Sequence, residues 1–484
     1  MTRVVIVGGG PGGYEAALVG AQLGAEVTVV ERDGLGGSAV LTDCVPSKTL
    51  IATAELMTSV RAAGELGVRL AGVRAAAATP AAATPAAADE AVSVSLFDVN
   101  TRVRQLAASQ SADVAKQLAQ AGVQVLSGTG RLDGPERVAV SDGDREQVLS
   151  ADVVLVATGA RPRVLPSAPP DGERILTWEQ VYGLDALPER LVVVGSGVTG
   201  AEFASAYNAL GADVVLVSSR DRVLPGEDAE AAALLEQVLR RRGMTVLDRS
   251  RAAAVERVAD GVRVTLTDGR SVDGSHCLLA VGSVPNSADL GLEESGVRLG
   301  AGGFLAVDGM SRTSARGVYA AGDCTGVLML ASVAAMQGRI AMWHALGDAV
   351  APLDLKTVAS NVFTAPEIAT VGWSQRAVDA GEIAASDVTL PLAGNPRAKM
   401  QGVRDGFVKL FCRPGTGIVI GGVVVAPRAS ELIYAVSVAV QARLTVDELA
   451  HAFTVYPSVS GSIAEAARRL HTRATAPTGD PGTD

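Results

Sequence analysis

The chain has 484 residues, 48% of them hydrophobic but only 3% aromatic, so two or three cores filled by Ala, Val and Leu are expected. A total of 52 acidic against 42 basic residues leaves a net charge of -10, spread along the chain, which argues against nucleic acid or an anionic membrane as main partner. The four cysteines, at 44, 277, 324 and 412, form no CxxC and no regular spacing, which excludes a secreted disulfide framework and points to a reducing cytoplasm.

The N-terminus enters an apolar strand within three residues and lacks the basic and apolar regions of a signal peptide. No apolar run reaches the roughly 20 residues of a membrane span. The longest, IVIGGVVVA at 418–426, is strand-length between Gly417 and Pro427. Strand, turn and helix follow one another in VVIVGGGPGGYEAA at 4–17. Gly8, Gly10 and Gly13 form GxGxxG: the first allows a tight turn, the second lets backbone approach a pyrophosphate, the third packs helix on strand. The helix N-terminus then faces the phosphate charge. The next strand, EVTVVE, ends in Glu31, a carboxylate placed to accept hydrogen bonds from a ribose diol.

Residues 36–48 read GGSAVLTDCVPSK and open a helix. Cys44 and Lys48 lie four apart on one face, and Pro46 suits the first turn. The helix N-terminus and Lys48 predict a thiolate at Cys44. Residues 71–90, AGVRAAAATPAAATPAAADE, read as a mobile low-complexity insertion.

A second fingerprint, Gly195, Gly197 and Gly200 in VVVGSGVTGAEFA, makes the chain an internal duplication of one nucleotide-binding unit. Its following strand, DVVLV, runs into Ser218, Ser219 and Arg220 instead of an acid. Hydroxyls and a guanidinium suit a 2'-phosphate, with help from Arg222, which favours NADPH over NADH. The alternative, that both arginines are solvated loop residues, stays open. GVRVTLTDGRSV at 261–272 reads as a hairpin, and strands mixed with amphipathic helices after about 355 mark a separate C-terminal domain. The tail from 472 reads as disordered. No His/Cys/Asp cluster has metal-ligand spacing; His276, His344, His451 and His471 offer no pair on one turn, and Cys277, Cys324 and Cys412 read as packing residues.

With these residues, four further stretches give the chain its resemblance to the flavoprotein pyridine nucleotide-disulfide reductases, the group of dihydrolipoamide dehydrogenase and glutathione reductase. VVLVATGARPR at 153–163 resembles that family's strand returning from the first domain, and VYAAGDCTG at 318–326 resembles its second FAD motif. TAPEIATVG at 364–372 and NPRAKM at 395–400 resemble its dimerisation domain. The resemblance implies an α/β fold with two Rossmann-like dinucleotide-binding domains, for FAD and NAD(P)H, plus an α+β C-terminal dimerisation domain. The implied boundaries are 1–157 and 284–354 for FAD, 158–283 for NAD(P)H, 355–471 for the dimerisation domain and 472–484 for the tail. It also implies a cytoplasmic homodimer. FAD would be bound by Gly8, Gly10, Gly13, Glu31, Lys48, Gly130, Thr158, Gly159, Asp323 and Ala331. The nicotinamide cofactor would lie along Gly195, Gly197, Gly200, Glu202, Ser218, Ser219, Arg220 and Gly282. By the same resemblance Lys48 pairs with Glu202 near the flavin's reactive nitrogen, and the helix from Ala331 aims its positive end at the flavin's anionic edge.

The departures set the expected chemistry. Family members with a redox disulfide carry GGTCxNxGCxPSK; the first cysteine falls on Ala39 and the second on Cys44. Their C-terminal HPTxxE is YPSVSG here, so Tyr456 replaces the proton-carrying His and Gly461 its Glu partner, while His451 is read as a solvated helix residue. Thiol–disulfide exchange needs an attacking thiolate, a second thiol and a proton carrier, and three of the required side chains are gone together. The resemblance therefore narrows to NAD(P)H:quinone reductases lacking the cysteine pair: NADPH or NADH reduces FAD, and a small planar quinone takes the electrons. Cys44, Lys48, Glu202 and Tyr456 are the expected catalytic residues; Tyr456 either contacts the quinone or packs in an interface. Four alternatives remain: a single-cysteine peroxide reductase working through Cys44, a soluble transhydrogenase-like enzyme, a non-catalytic FAD-binding redox sensor, and residual lipoamide dehydrogenase activity.

Overall fold

The first five strands to pair are short and almost wholly apolar, which suits a parallel sheet covered on both faces. A computed structural model describes residues 1–68, 92–143 and 145–471; the 71–90 insertion and the tail from 472 lie outside them. Two compact units result. The first comprises residues 1–58, 92–223 and 243–354, the second 59–68, 224–242 and 355–471.

In the first unit, β1 (Arg3–Val7), α1 (Pro11–Gln22) and β2 (Glu26–Glu31) form the predicted strand–helix–strand. Then come α2 (Gly37–Leu41), α3 (Cys44–Ala62), α4 (Leu96–Gln120) and β3 (Gln124–Ser127). The antiparallel sheet of β4 (Thr129–Leu132), β5 (Arg137–Asp142) and β6 (Arg145–Ser150) precedes β7 (Val153–Val156). Further on, β8 (Ala160–Pro162) pairs antiparallel with a later strand at 283–285, and β9 (Ile175–Thr177) and β10 (Arg190–Val194) lead into α5 (Val198–Leu210) and β11 (Asp213–Val217). After α6 (Ala229–Arg241) the chain adds β12 (Thr245–Leu247) and the antiparallel β13 (Ala252–Val258), β14 (Gly261–Leu266) and β15 (Ser271–Gly274), which include the predicted hairpin. The unit closes with β16 (His276–Leu279), β17 (Ser283–Pro285), β18 (Val318–Ala320) and α7 (Ala331–Ala345).

Two parallel five-stranded sheets organise this unit, in the orders β18-β7-β1-β2-β3 and β12-β11-β10-β16-β9. Register in the first runs Val4 to Val27 on one side and Val4 to Val153 on the other. Its faces bury Val, Ile, Leu and Ala, with α1 and α7 on one side. The two helices meet through glycine: a methyl group on Gly338 would lie 2.1 Å from the Gly12 carbonyl oxygen. That close approach brings the start of α7 towards the carboxyl ends of the strands, where open α/β sheets bind ligands.

The second unit is built on an antiparallel sheet of β19 (Ala359–Val362), β20 (Glu367–Gly372), β21 (Ser386–Pro391), β22 (Phe407–Cys412) and β23 (Val419–Ala426), ordered β19-β20-β23-β22-β21. Two short helices, α8 (Gln375–Asp379) and α9 (Pro396–Met400), sit in its connections; α10 (Ala429–Gln441), α11 (Val446–His451) and α12 (Gly461–Leu470) complete it. Helix α6 belongs here although it lies between strands of the first unit. Asp228 caps α6, accepting from the amides of Glu230 and Ala231, and its other carboxylate oxygen takes a hydrogen bond from Lys409 Nζ at 2.9 Å. Glu230 pairs with the same nitrogen at 2.7 Å, and Lys409 is only 2% exposed. Among the described residues no helix is long and apolar enough to cross a membrane. Because breaking a buried pair strands its partner's charge, Lys409→Ala is expected to destabilise the protein by about 3–5 kcal/mol in chemical denaturation.

Candidate active site

A cavity of about 700 Å³ opens at the carboxyl ends of β1, β2, β7 and β18, lined by Gly8, Gly10, Glu31, Gly130, Thr158 and Asp323 among others. The three fingerprint glycines divide their roles as expected. Gly8 sits at φ +105° with its missing Cβ 2.3 Å from Ala157 O, and a Cβ on Gly13 would meet Gly8 O at 1.9 Å. A Cβ on Gly10 would find only Gly37 Cα, at 4.0 Å, so the backbone there stands open to a ligand. Glu31 is fixed by backbone amides: one oxygen accepts from Gly9 at 2.6 Å, the other from Asp33 at 2.7 Å. The second oxygen also accepts from Gly34 N at 3.3 Å, so it is the oxygen facing Gly9 that keeps a lone pair for a diol.

At the other side of the cavity Thr158 and Gly159 leave β7. Thr158 Oγ1 donates to Asn286 O at 2.7 Å, and Asn286 Nδ2 donates back to Thr158 O at 2.9 Å. Gly159 has φ +67°. Asp323 follows β18, and the buried Gln337 of α7 accepts from Gly322 N at 2.8 Å, fixing that turn. Burial, and then Asp43, push the Asp323 carboxyl up to about 6. Ala331, the first residue of α7, also lines the cavity.

Ala39 on α2 and Cys44 at the start of α3 share this wall. Lys48, one turn into α3, donates to Glu202 of α5 at 2.8 Å, and Glu202 is 3% exposed. Burial works against the Lys48 charge, but Glu202, Cys44 and Asp43 outweigh it and raise the ammonium above its ordinary value. The expected Cys44 thiolate is corrected here. Burial and the adjacent Asp43 carboxylate push the thiol up to about 12 against the opposing pull of Lys48, so Cys44 is a neutral thiol at physiological pH. All four cysteines are free. Cys324 is buried with its thiol 3.3 Å from Ala321 O, and Cys277 and Cys412 are buried in β16 and β22, as packing residues should be.

The second fingerprint repeats the first. Gly195 has φ +112° with its missing Cβ 2.1 Å from Ala280 O, a Cβ on Gly200 would lie 1.8 Å from Gly195 O, and at Gly197 nothing lies within 4 Å. Gly282, at φ +93°, is equally open. Ser219 and Arg220 are exposed. Ser218 is not available to a phosphate, which corrects its expected role: it is fully buried, its hydroxyl 2.7 Å from Ser196 Oγ, and it accepts from Arg220 N at 3.1 Å. Its hydroxyl shapes the loop that presents Ser219 and Arg220. Tyr456 lies in the second unit, in the loop between α11 and α12, and is exposed. His451 is exposed at the end of α11, as expected.

Among the described residues no group of His, Cys, Asp and Glu could hold a metal. Two cavity residues escaped the sequence reading. Asp43 occupies the place of the glycine in GGTCxNxGCxPSK, and Glu179 approaches Thr42 Oγ1 at 3.5 Å. The signal for Asp43 was the mismatch with that pattern; nothing local marks Glu179, which lies 137 positions from its neighbour.

Residues 2–338 match the family model described as pyridine nucleotide-disulphide oxidoreductase, and 358–467 match the dimerisation domain of the same family. The chain belongs to this family. It is 57% identical over 481 residues to an NAD(P)H dehydrogenase (quinone) of Mycobacterium tuberculosis, covering 97% of this chain and 94% of that protein. It is 32% identical to the dihydrolipoyl dehydrogenase of Zymomonas mobilis, covering 97% and 98%. The crystal structure of LpdA from M. tuberculosis has a TM-score of 0.90 at 56% identity, covering 98% of this chain and 100% of that one. The Escherichia coli flavoprotein disulfide reductase RclA shares the fold, with a TM-score of 0.83 at 22% identity over 97% of this chain and 100% of that one. The chain is thus a flavoprotein oxidoreductase using FAD with NAD(P)H as electron donor. The cavity fits the flavin nucleotide: open backbone at Gly10, an acceptor carboxylate at Glu31, and Asp323 and the α7 N-terminus beyond.

With its thiol held at about 12, Cys44 should react with iodoacetamide at pH 7.5 roughly 100-fold or more slowly than free cysteine, because only the thiolate attacks. Peptide mass spectrometry of the native and the denatured protein checks this; fast native labelling would refute the neutral thiol.

Proposed function

We propose that the chain is an FAD-dependent NAD(P)H:quinone oxidoreductase that works without a redox-active disulfide. The observation that carries this reading is Ala39 beside a Cys44 that is in no disulfide, in the wall of a cavity whose Lys48–Glu202 pair is intact. A disulfide relay needs a second sulfur and a thiolate, and this wall offers neither. The single-cysteine peroxide reductase needs the same thiolate, so Cys44 speaks against it as well. Retention of Lys48, Glu202 and the second glycine fingerprint speaks against a non-catalytic sensor. The printed name of the relative at 57% identity supports a quinone as acceptor.

Bound FAD would supply the two-electron relay between the nicotinamide cofactor and the acceptor. The chain's own residues do the rest. Gly10 and the α1 N-terminus receive the pyrophosphate, Glu31 the ribose, and Asp323 the ribitol. Lys48, held by buried Glu202, keeps a fixed positive charge at the reacting end, where reduction adds negative charge. Ser219 and Arg220 favour a 2'-phosphate, hence NADPH. The reading includes a homodimer: the dimerisation domain matches, and Phe453, Val455 and Tyr456 stand exposed on the α11–α12 loop. Domain boundaries at 157, 283 and 354 follow the family pattern and belong to the same proposal.

An anaerobic titration with NADPH is expected to load two electrons per subunit, with rapid turnover on benzoquinone and none on lipoamide or glutathione disulfide. Four-electron uptake with disulfide turnover would overturn the reading. Arg220→Ala is expected to raise KM for NADPH about tenfold while leaving KM for NADH nearly unchanged, as loss of a charge-assisted phosphate contact requires.

A further inference from the structure

Reduction of a quinone consumes more than a hydride. NAD(P)H, one quinone and one proton give NAD(P)+ and one hydroquinone; the hydride brings both electrons and one hydrogen, and an acid in the site can deliver the second proton faster than solvent does. The His–Glu pair that moves protons in disulfide-reducing relatives is Tyr456 and Gly461 here. We infer that Asp43 is the proton donor to the reduced quinone, an inference that rests on the quinone reading above.

Asp43 stands between α2 and α3 with its backbone pinned on both sides: its N–H donates to Ser38 O at 2.7 Å and its carbonyl accepts from Ser47 N at 2.7 Å. It therefore holds the N-cap position of α3, where an aspartate usually spends its carboxylate on the helix amides. Here, among the described residues, no group donates a hydrogen bond to that carboxylate, and Asp43 lines the cavity between Thr42 and Cys44 on the wall that carries Ala39. The void left by the missing cysteine and an uncommitted carboxyl thus lie together.

The groups that face Asp43 come from four elements. Lys48 and Cys44 lie on its own helix, Glu202 on α5, Glu179 and Tyr182 on the stretch between β9 and β10, and Asp323 after β18. Burial raises the carboxyl, Lys48 pulls it down and Glu202 raises it further; the balance lies above the ordinary carboxylate value. The other acids are committed or unsuitable. Glu202 holds Lys48, Asp323 belongs to the ribitol end, and the Cys44 thiol near 12 is too weak an acid. Glu179 is within electrostatic reach of Asp43 and of the exposed Asp33.

In the step proposed, the O–H bond of the Asp43 carboxyl breaks and an O–H bond forms on the hydroquinone anion. No electrons move in it. The carboxylate, part-exposed in the cavity wall, then regains a proton from water.

The test compares two acceptors on the same holoenzyme: benzoquinone, which takes protons, and ferricyanide, which takes electrons alone. Asp43→Asn is expected to lower the benzoquinone-to-ferricyanide kcat ratio by about tenfold or more, with Asp43→Glu restoring most of it. Wild-type benzoquinone kcat should fall as pH rises through the titration of the donor, since the protonated form is the active one, and the Asp43→Asn profile should be flat. An unchanged ratio and an unchanged pH profile in Asp43→Asn would overturn the role while leaving quinone reduction standing. A wild-type enzyme that reduces ferricyanide but no quinone would overturn the quinone reading and this role with it. If Asp43→Asn loses its flavin, the wild-type profile decides alone: a benzoquinone kcat that does not fall with pH refutes the donor.

Discussion

The Lys48–Glu202 ion pair joins the two halves of the chemistry. Lys48 sits one turn into the helix that starts at the cavity wall, and Glu202 lies in the first turns of the helix that follows the second glycine fingerprint. Glu202 is almost wholly buried, so neither charge is tolerable without the other. The pair ties the helix starts of two nucleotide-binding units to each other at 2.8 Å. It also keeps one positive charge at a place where every other ionisable neighbour is acidic or a thiol.

That surplus of acid explains why a cysteine survives without its chemistry. In a site built for thiolates the helix N-terminus and a nearby cation dominate. Here burial weighs most on Cys44, and Asp43, Glu202 and Asp323 add to it against the pull of Lys48. A glycine at position 43 would present no charge to the adjacent sulfur, whereas aspartate does. Loss of the partner sulfur at Ala39 and suppression of the remaining thiol are thus two features of one wall.

Much of this was legible in the residues. The glycine spacings specify turns that only glycine fits, and the structure shows the clashes at Gly8, Gly13, Gly195 and Gly200 that enforce them. Alternating strand and helix text led to the two parallel sheets, and the Lys48–Glu202 pair followed from family resemblance. The failures have a common cause. The charge state of Cys44 depends first on burial, which only the fold creates, then on Asp43, and last on Glu202 and Asp323, more than 150 positions away. Ser218 was read as a hydroxyl for a 2'-phosphate because it follows the strand where an acid would stand, but its hydroxyl lies 2.7 Å from Ser196 Oγ and is buried. Asp43 was marked only by its mismatch with the glycine of GGTCxNxGCxPSK.

The path of the chain through α6 carries a consequence for how the molecule can be divided. The loop bearing Ser219 and Arg220 runs directly into residues 224–242, which fold with residues 355–471 and not with the strands on either side of them. Leu235, Val238 and Leu239 of α6 are buried, and its cap is locked by Lys409. A protein cut after residue 354 would remove Lys409 and leave Asp228, which caps α6, without its buried partner. The chain between β11 and β12 thus carries a helix whose cap is held by a lysine of β22, so a splice at residue 354 would divide that pair.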